Sequence, residues 1–478
     1  MDNTCDAKAD IVGTSSATVS VLRATSESLL SYGGFKWPTS GYVEAPDWNP
    51  EEKCGGGLHG WLWGEGDYSC KDIGYTDSDT LIWQVVEVDA GSIVDLVGKV
   101  KFPRGVVVFS GDKDQATGMI ASRRASAVVI GRNLQVGDGE TATVGDLGTA
   151  TAGHRGTATA GHGGTATAGH GGTATAGHRG TATAGDCGVA TVGDRGTSTA
   201  GDNGIAMAGD NGTATVGRHG TATVGDNGIA KVGDEGTAEA GYLGTATAGH
   251  RGTATAGDNG IATAGDHGTA TVGDGGTATV GAEGTATAGW YGRATAGNYG
   301  KATAGDRGTA KVGDEGTATA GHSGHAIAGV DGTARAGDYG TATADNYGHA
   351  MAGVKGTARA GDNGTAKAGV YGEATAGVDG TAEAGNRGTA TAGDLGKAMS
   401  GYCGRSTVGY NGIATVGDCG IAIVGFLGSV TAGVGCRILF KTKDDRTVEA
   451  TVGERGIMAR KTYMLDENDS VIEIKSRK

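Results

Sequence analysis

The sequence predicts a mainly β protein: a long two-sided β-solenoid of 16-residue coils, each made of two octapeptides, between a small α/β N-terminal domain and a short β C-terminal cap. Three observations carry this. An eight-residue phrase close to Thr-Ala-Thr-Ala-Gly-Asp-X-Gly runs from Thr141 to Cys436 as 37 copies without insertion or deletion, the mark of a solenoid. Within the phrase, slots 2 and 4 are small and apolar, whereas slots 1 and 3 accept Thr, Ile, Lys, Arg, Glu, His and Met. That period of two is a β-strand with one buried face. Finally, the chain holds 97 Gly and 4 Pro, and every proline and all tryptophans but Trp290 precede the array, so an ordinary globular core belongs to the first part of the chain.

The elements follow in order. Residues 1–125 read as a globular α/β domain, and 126–140 as the segment leading into the solenoid. Within 141–436, eight residues are too few to close a coil around side chains. Two phrases, giving two strands and two corners, make the natural turn, with about 18 turns stacked at about 4.8 Å. Slot 5 is Gly except at Asp345, and slot 8 is Gly except at Cys436; these glycines predict tight, positive-φ corners. Asp in slot 6 is expected to cap the corner by accepting a following N–H. Residues 437–478 form the cap. A net charge of −14 argues against a nucleic-acid-binding surface. No 18-residue apolar stretch and no basic, then apolar, leader at the N-terminus is visible, so neither a membrane span nor a cleaved signal is expected.

Before the array the chain offers Val21-Leu22-Arg23, Trp37-Pro38-Thr39-Ser40-Gly41, Val43-Glu44 and Trp48. Gly57-Leu58-His59-Gly60-Trp61-Leu62-Trp63-Gly64 follows, then Trp83, Val86-Glu87-Val88, Val100-Lys101-Phe102-Pro103-Arg104 and Gly111-Asp112. This run resembles the N-terminal domain of the bacterial ice nucleation proteins. The Thr-Ala-Thr-Ala-Gly phrase resembles that family's octapeptide. The tail, Val452-Gly453-Glu454-Arg455-Gly456-Ile457 through Tyr463 and Asp466-Glu467-Asn468, resembles its C-terminal cap. Three features differ from the family: tyrosines are scattered (Tyr242, Tyr291, Tyr299, Tyr339, Tyr347, Tyr371, Tyr402, Tyr410) rather than repeated along one edge, a long Pro/Ser/Thr-rich linker is missing, and the array is short.

The resemblance implies that paired threonines on a flat β-face order water. The geometry supports this independently, because slots 1 and 3 project from one side of a strand about 6.6 Å apart and recur at every coil. Intact Thr-X-Thr pairs fill 17 of the 37 copies. The candidate ice-binding residues are Thr141, Thr143, Thr149, Thr151, Thr157, Thr159, Thr165, Thr167, Thr173, Thr175, Thr181 and Thr183, in six unbroken copies. To these are added Thr213, Thr215, Thr221, Thr223, Thr245, Thr247, Thr253, Thr255, Thr269, Thr271, Thr277, Thr279, Thr285 and Thr287. The bland alternative is that Thr suits exposed strand positions. Cations enter the Thr slots later, at Arg293, Lys301, Lys311, Arg335, Arg359, Lys367, Lys397 and Arg405, against Lys231 earlier. By resemblance these drive side-by-side or end-to-end assembly into a homo-oligomer; taken singly, each is a solvated charge. The family also implies an outer-membrane, cell-surface location with association through the N-terminal domain. The lack of a signal leaves a cytoplasmic location as the alternative.

Other constellations carry less. His154, His162, His170 and His178 occupy slot 6 of successive copies and should stack in pairs along the two edges, with no carboxylate or thiolate completing a metal site. Cys403 and Cys419, sixteen residues apart in slot 7, should be coil neighbours, either as a disulfide or as a reduced ladder. Cys54, His59 and Cys70 lie near Glu65 and Asp67, but their spacing matches no ligand pattern. No metal and no cofactor is expected. Two other functions fit the sequence less well. An acidic interaction or nucleic-acid-mimic solenoid is disfavoured because the array's 25 acidic and 17 basic residues are sparse for imitating phosphates. An N-terminal enzyme on a solenoid stalk lacks a nucleophile–base–orienter pattern, so the chain reads as no enzyme.

Overall fold

The computed structural model describes residues 17–31, 34–68 and 81–474, which fall into two compact units, Met1–Ser198 and Thr199–Lys478. The first unit opens with a seven-stranded antiparallel sheet of β1 (Thr18–Thr25), β2 (Gly41–Glu44), β3 (Leu58–Leu62), β4 (Ile82–Asp89), β5 (Val94–Asp95), β6 (Val100–Phe102) and β7 (Arg104–Gly111), in the order β2-β7-β4-β1-β3-β6-β5. Both faces are covered, so the central strands are buried almost continuously instead of alternating. On one face lies helix α1 (Lys113–Arg123), capped by Asp112, which accepts the Gln115 N–H at 2.8 Å. Its Ala116 and Ile120 join Leu22, Trp61, Tyr68, Trp83 and Val85. Tyr68 stacks between Trp61 and Trp83 at centroid distances of 5.5 and 6.3 Å, and burial pushes its phenol up to about 12. The other face buries Val21, Trp37, Val86, Val100, Phe102 and Val107. There the buried Arg23 guanidinium lies 3.5 Å over Trp37 and donates to the His59 carbonyl, while the buried Lys101 Nζ donates to the Lys53 and Gly55 carbonyls at 2.8 and 3.2 Å.

The sheet domain and the opening coils share a core. Ala127, Val129 and Ile130 join the α1 cluster, with Leu147 packed against it. Asp146 accepts the Tyr68 N–H at 2.9 Å through its carboxylate and the Gly131 N–H through its carbonyl. The domain thus covers the exposed end of the first strands, β8 (Asn133–Gln135) and β9 (Thr141–Thr143), whose unpaired edges would otherwise invite further strands. From β8 the parallel sheet continues through β10 (Thr149–Ala152), β12 (Thr165–Ala168) and β14 (Thr181–Ala184). From β9 a second sheet continues through β11 (Thr157–Ala160), β13 (Thr173–Ala176) and β15 (Val189–Val192). Each pairing joins residues sixteen apart, as the two-phrase coil requires. About 19 turns are formed in all.

In each four-residue strand slots 2 and 4 are buried and slots 1 and 3 face out; Ala150 and Ala152 are 0% and 4% exposed, whereas Thr149 and Thr151 are half-buried. Where the interior turns polar, the hydroxyl is satisfied within it: Ser198 donates to the Ala190 carbonyl, and in the second unit Ser400 and Ser406 bond one another.

The corners differ from expectation. Slot 8 N–H donates to the slot 5 carbonyl, as from Gly156 to Gly153 at 3.1 Å, closing a four-residue turn. Its positive φ falls on slot 7, not on the glycines: Arg155 at 53°, Asn211 at 57°, Tyr299 at 58°, Leu395 at 60°. This is the turn class whose third residue is left-handed. The flanking glycines are required for another reason. A Cβ on slot 8 Gly308 would lie 2.8 Å from the Ala304 Cβ and 2.8 Å from the Gly292 carbonyl, and one on slot 5 Gly281 would lie 2.0 Å from Asp266 Oδ1. They are places where backbone passes close to neighbouring coils. Slot 6 also departs from expectation: its carboxylate reaches the N–H of slot 6 in the next coil, as from Asp266 to Ala282 and from Asp306 to His322, both at 2.8 Å. It staples coil to coil and leaves its own corner uncapped.

The second unit ends in two hairpins that seal its sheets. Arg437–Lys441 adds in parallel to Ile421–Val424 and turns back antiparallel into Thr447–Thr451; Thr462–Leu465 adds antiparallel to Ser429–Ala432 and turns into Val471–Glu473. Ile438, Phe440, Tyr463 and Leu465 fill the interior where alanines end, and Arg437 pairs with Glu449 on the outside.

Candidate functional site

Parallel in-register pairing aligns like slots in columns along each face. In the first unit, one face carries Thr149, Thr165 and Thr181 in one column and Thr151, Thr167 and Thr183 in the next. The other carries Thr141, Thr157 and Thr173 beside Thr143, Thr159 and Thr175, ending at Val189 and Thr191. Each face therefore presents a complete block at least three coils long and two threonines wide, about 4.8 Å between coils and about 6.6 Å along a strand. β-Branched side chains hold few χ1 rotamers on such a surface, so hydroxyls and methyls repeat at fixed positions over a backbone bonded to the coils on either side.

In the second unit the candidate threonines divide. Thr253, Thr255, Thr269, Thr271, Thr285 and Thr287 form a third block, three coils long. Thr221 and Thr223 stand alone between Ile205–Met207 and Thr237–Glu239. On the opposite face, the pairs at Thr213 and Thr215, Thr245 and Thr247, and Thr277 and Thr279 are separated by coils carrying Ile229 and Lys231, then Ile261, and are followed by Arg293. The structure thus gathers eighteen of the candidates into three blocks and leaves six, Thr221, Thr223, Thr245, Thr247, Thr277 and Thr279, in isolated pairs; Thr213 and Thr215 follow a further Thr-X-Thr copy at Thr197–Ala200, sixteen residues earlier. The cations divide evenly: Arg293, Lys311, Arg359 and Arg405 on one face, and Lys301, Arg335, Lys367 and Lys397 on the other, all exposed. Lys367 pairs with Glu383 one coil on, at 2.8 Å.

One set of edge residues escaped the sequence reading. Along one edge of the second unit, Arg307 stacks over Tyr291, Lys355 over Tyr339 and Arg387 over Tyr371, at 5.5, 5.1 and 5.7 Å from the ring centroids, each also donating to the phenol oxygen. The spacing of sixteen is the signal that could have found them: Tyr291, Tyr339 and Tyr371 look scattered only until the chain is folded into coils.

The remaining candidates are placed as follows. His162 and His178 stack at 5.3 Å and His154 and His170 at 6.2 Å, and a carboxylate, Asp194, does stand 3.9 Å from His178 Nδ1. Cys54 and His59 line one cleft of about 370 Å³ with Arg23 and Trp37; Cys70 lies outside the described residues. Glu65 is turned away to accept the Val128 N–H and pair with Arg124, and the Asp67 carbonyl accepts the Trp61 indole N–H. Among the described residues, no three His, Cys, Asp or Glu side chains are grouped to hold a metal ion, and no helix is long and apolar enough to cross a membrane.

No protein-family profile and no solved structure matches the chain. Curated sequences do. An ice nucleation protein of Pantoea ananas is 35% identical over 123 residues, 25% of this chain and 11% of the relative. One from Pseudomonas syringae is 36% identical over 107 residues, 22% and 9% respectively, and one from Xanthomonas campestris pv. translucens is 34% identical over 103 residues, 21% and 6%. The chain spans about a tenth of the length of the first two. Over about a quarter of its length the chain is thus similar to bacterial ice nucleation proteins.

Proposed function

We propose that the chain nucleates ice by ordering water on its threonine blocks, acting as a template and not as an enzyme. The observation that carries this reading is the in-register alignment of Thr-X-Thr pairs into complete blocks on both faces of the opening coils. Water bound there meets hydroxyls and methyls whose positions the backbone already fixes, so little side-chain ordering is left to oppose it. The relatives' printed name, ice nucleation protein, supports the same reading. An ice embryo grows only beyond a critical size, so contiguous threonines, and several chains side by side, matter more than any one residue. We assign the second unit's exposed cations to that association, and the segment 1–125 to holding the assembly at the bacterial outer membrane, with 126–140 leading into the solenoid at 141–436 and 437–478 closing it. The test is droplet freezing with cells expressing the chain, beside cells expressing a variant in which all twelve threonines from Thr141 to Thr183 are Lys. The reading requires warmer freezing with the native chain; identical freezing spectra would overturn it.

A further inference from the structure

Cys403 and Cys419 occupy slot 7 of copies sixteen residues apart. The strands before them, Lys397–Ser400 and Ile413–Val416, are parallel neighbours in register, Lys397 against Ile413 and Ser400 against Val416. The two corners therefore follow the same path one strand spacing apart. That places the Cα atoms about 4.8 Å from each other, inside the range of about 4.4–6.8 Å that a disulfide spans. Both residues are left-handed, with φ of 51° and 59°, so their side chains leave the corner on the same bearing, and both thiols are free. Tyr402 lies near both: Cys403 first and Cys419 after it hold its phenol above the ordinary tyrosine range, which places the two thiols around one ring. Neither cysteine is packed in the interior. Cys436, by contrast, is buried, with its Sγ donating to the Gly417 carbonyl at 2.9 Å.

We propose that Cys403 and Cys419 form a reversible intrachain disulfide, a redox modification site whose oxidant is a low-molecular-weight disulfide. The thiolate of one cysteine attacks a sulfur of the small disulfide, breaking its S–S bond. A mixed disulfide forms, and the first small thiolate leaves and takes up the proton the cysteine gave up. The second cysteine's thiolate then attacks the protein sulfur of the mixed disulfide, closing the Cys403–Cys419 bond and releasing the second small thiol. The two protein thiols lose two electrons and the small disulfide gains them. Because adjacent coils hold the second thiol beside the first, closure outruns a second encounter with oxidant. Only a small lean of each Cβ is needed, from about 4.8 Å to about 3.8 Å, and the exposed corner permits it. The bond staples two of the last coils before the terminal hairpins, where an array frays.

The test uses the full chain equilibrated with oxidised glutathione, alkylated and digested with trypsin. Cleavage after Lys397, Arg405 and Arg437 puts Cys403 and Cys419 on different peptides, 398–405 and 406–437. We expect these two peptides to be linked, the link to vanish with dithiothreitol and in both Cys403→Ser and Cys419→Ser, and hydrogen exchange across 397–432 to slow on oxidation of the native chain only. Glutathione on both cysteines without a link, or a link that persists in Cys419→Ser and so runs to Cys436, would overturn the proposal.

Discussion

Replacing slot 5 Gly281 by Ala tests why the array repeats glycine so strictly. A Cβ there would sit 2.0 Å from Asp266 Oδ1, 2.8 Å from the Asp266 nitrogen and 3.0 Å from its Cα. The carboxylate must retreat by more than about 1 Å to reach ordinary contact, which breaks its 2.8 Å hydrogen bond from the Ala282 N–H. A bond to a charged group contributes about 1.5–3 kcal/mol; with this one at the exposed edge we take about 1–2 kcal/mol. The backbone overlap that remains adds the cost of overpacking, about 1–3 kcal/mol. Gly281→Ala should therefore destabilise the local coils by about 2–4 kcal/mol, and Asp266→Ala by about 1–2 kcal/mol. The double variant should cost no more than Gly281→Ala alone, because both changes remove the same bond; the coupling of about 1–2 kcal/mol marks that shared loss. Hydrogen exchange across residues 262–300 is the suitable assay, since stability in a solenoid is local and a whole-chain melt averages it. Strict additivity, or a cost below about 0.5 kcal/mol for Gly281→Ala, would refute the account of slot 5. The first would show that Gly281 and Asp266 are independent, and the second that the close approach is not felt.

Slot 7 predicts the opposite sign: Leu395, exposed and left-handed at φ 60°, should gain about 0.5–1 kcal/mol on replacement by Gly. Asn363→Gly, at φ 56°, should change little, because Asn tolerates that conformation; equal effects in local hydrogen exchange would remove the left-handed penalty from the account. Arg437, chiefly through its hydrogen bond, holds the Glu449 carboxyl below the ordinary carboxylate range. A lowered folded value means stability present above the unfolded value of about 4.3 and lost as pH falls through the folded one. Amide protection in Thr447–Thr451 should therefore hold steady above about pH 5 and decline below about pH 4, whereas Glu449→Gln should lack the step. If the exposed cations join chains, converting Arg293, Lys301, Lys311, Arg335, Arg359, Lys367, Lys397 and Arg405 to Thr should shrink particles in sedimentation and lower the freezing temperature despite the added threonines. High salt should act in the same direction, since such contacts are screened over about 8 Å; unchanged particles would leave the cations as surface charge.

The solenoid was legible in the sequence because two periodicities coincide, eight residues for the phrase and two within the strand, and each constrains a different contact. The corners were misread because glycine has two separate uses, freedom of φ and absence of a Cβ. At Gly281 and Gly308 the second applies, while the left-handed residue is the variable slot between them. The partner of Asp266 was hidden for a related reason: the N–H it reaches belongs to Ala282, a neighbour only once the coils are stacked. Likewise Tyr371 and Arg387 meet through a spacing of sixteen that no local rule for corners suggests. In the N-terminal domain, a sheet covered on both faces gives runs such as Trp83–Val86, buried at every position, which erase the alternation that would have told its seven strands apart. The threonine columns were legible as a pattern, but whether a pair joins a block or stands alone depends on which face each copy occupies, as Thr253 to Thr287 and Thr245 to Thr279 show.

That division supplies the most direct test of the central claim, that contiguous threonines order water. In one variant the six contiguous slot 3 threonines Thr143, Thr151, Thr159, Thr167, Thr175 and Thr183 become Lys; in the other, six from pairs flanked on both sides by broken copies, Thr223, Thr247, Thr279, Thr319, Thr343 and Thr391, become Lys. Both carry the same added charge at exposed strand positions, and matched circular dichroism establishes that both keep the fold. Droplet-freezing spectra should shift to lower temperature far more for the contiguous set than for the scattered one. Equal shifts, or none in either, would contradict the claim that a preordered threonine block is what water reads.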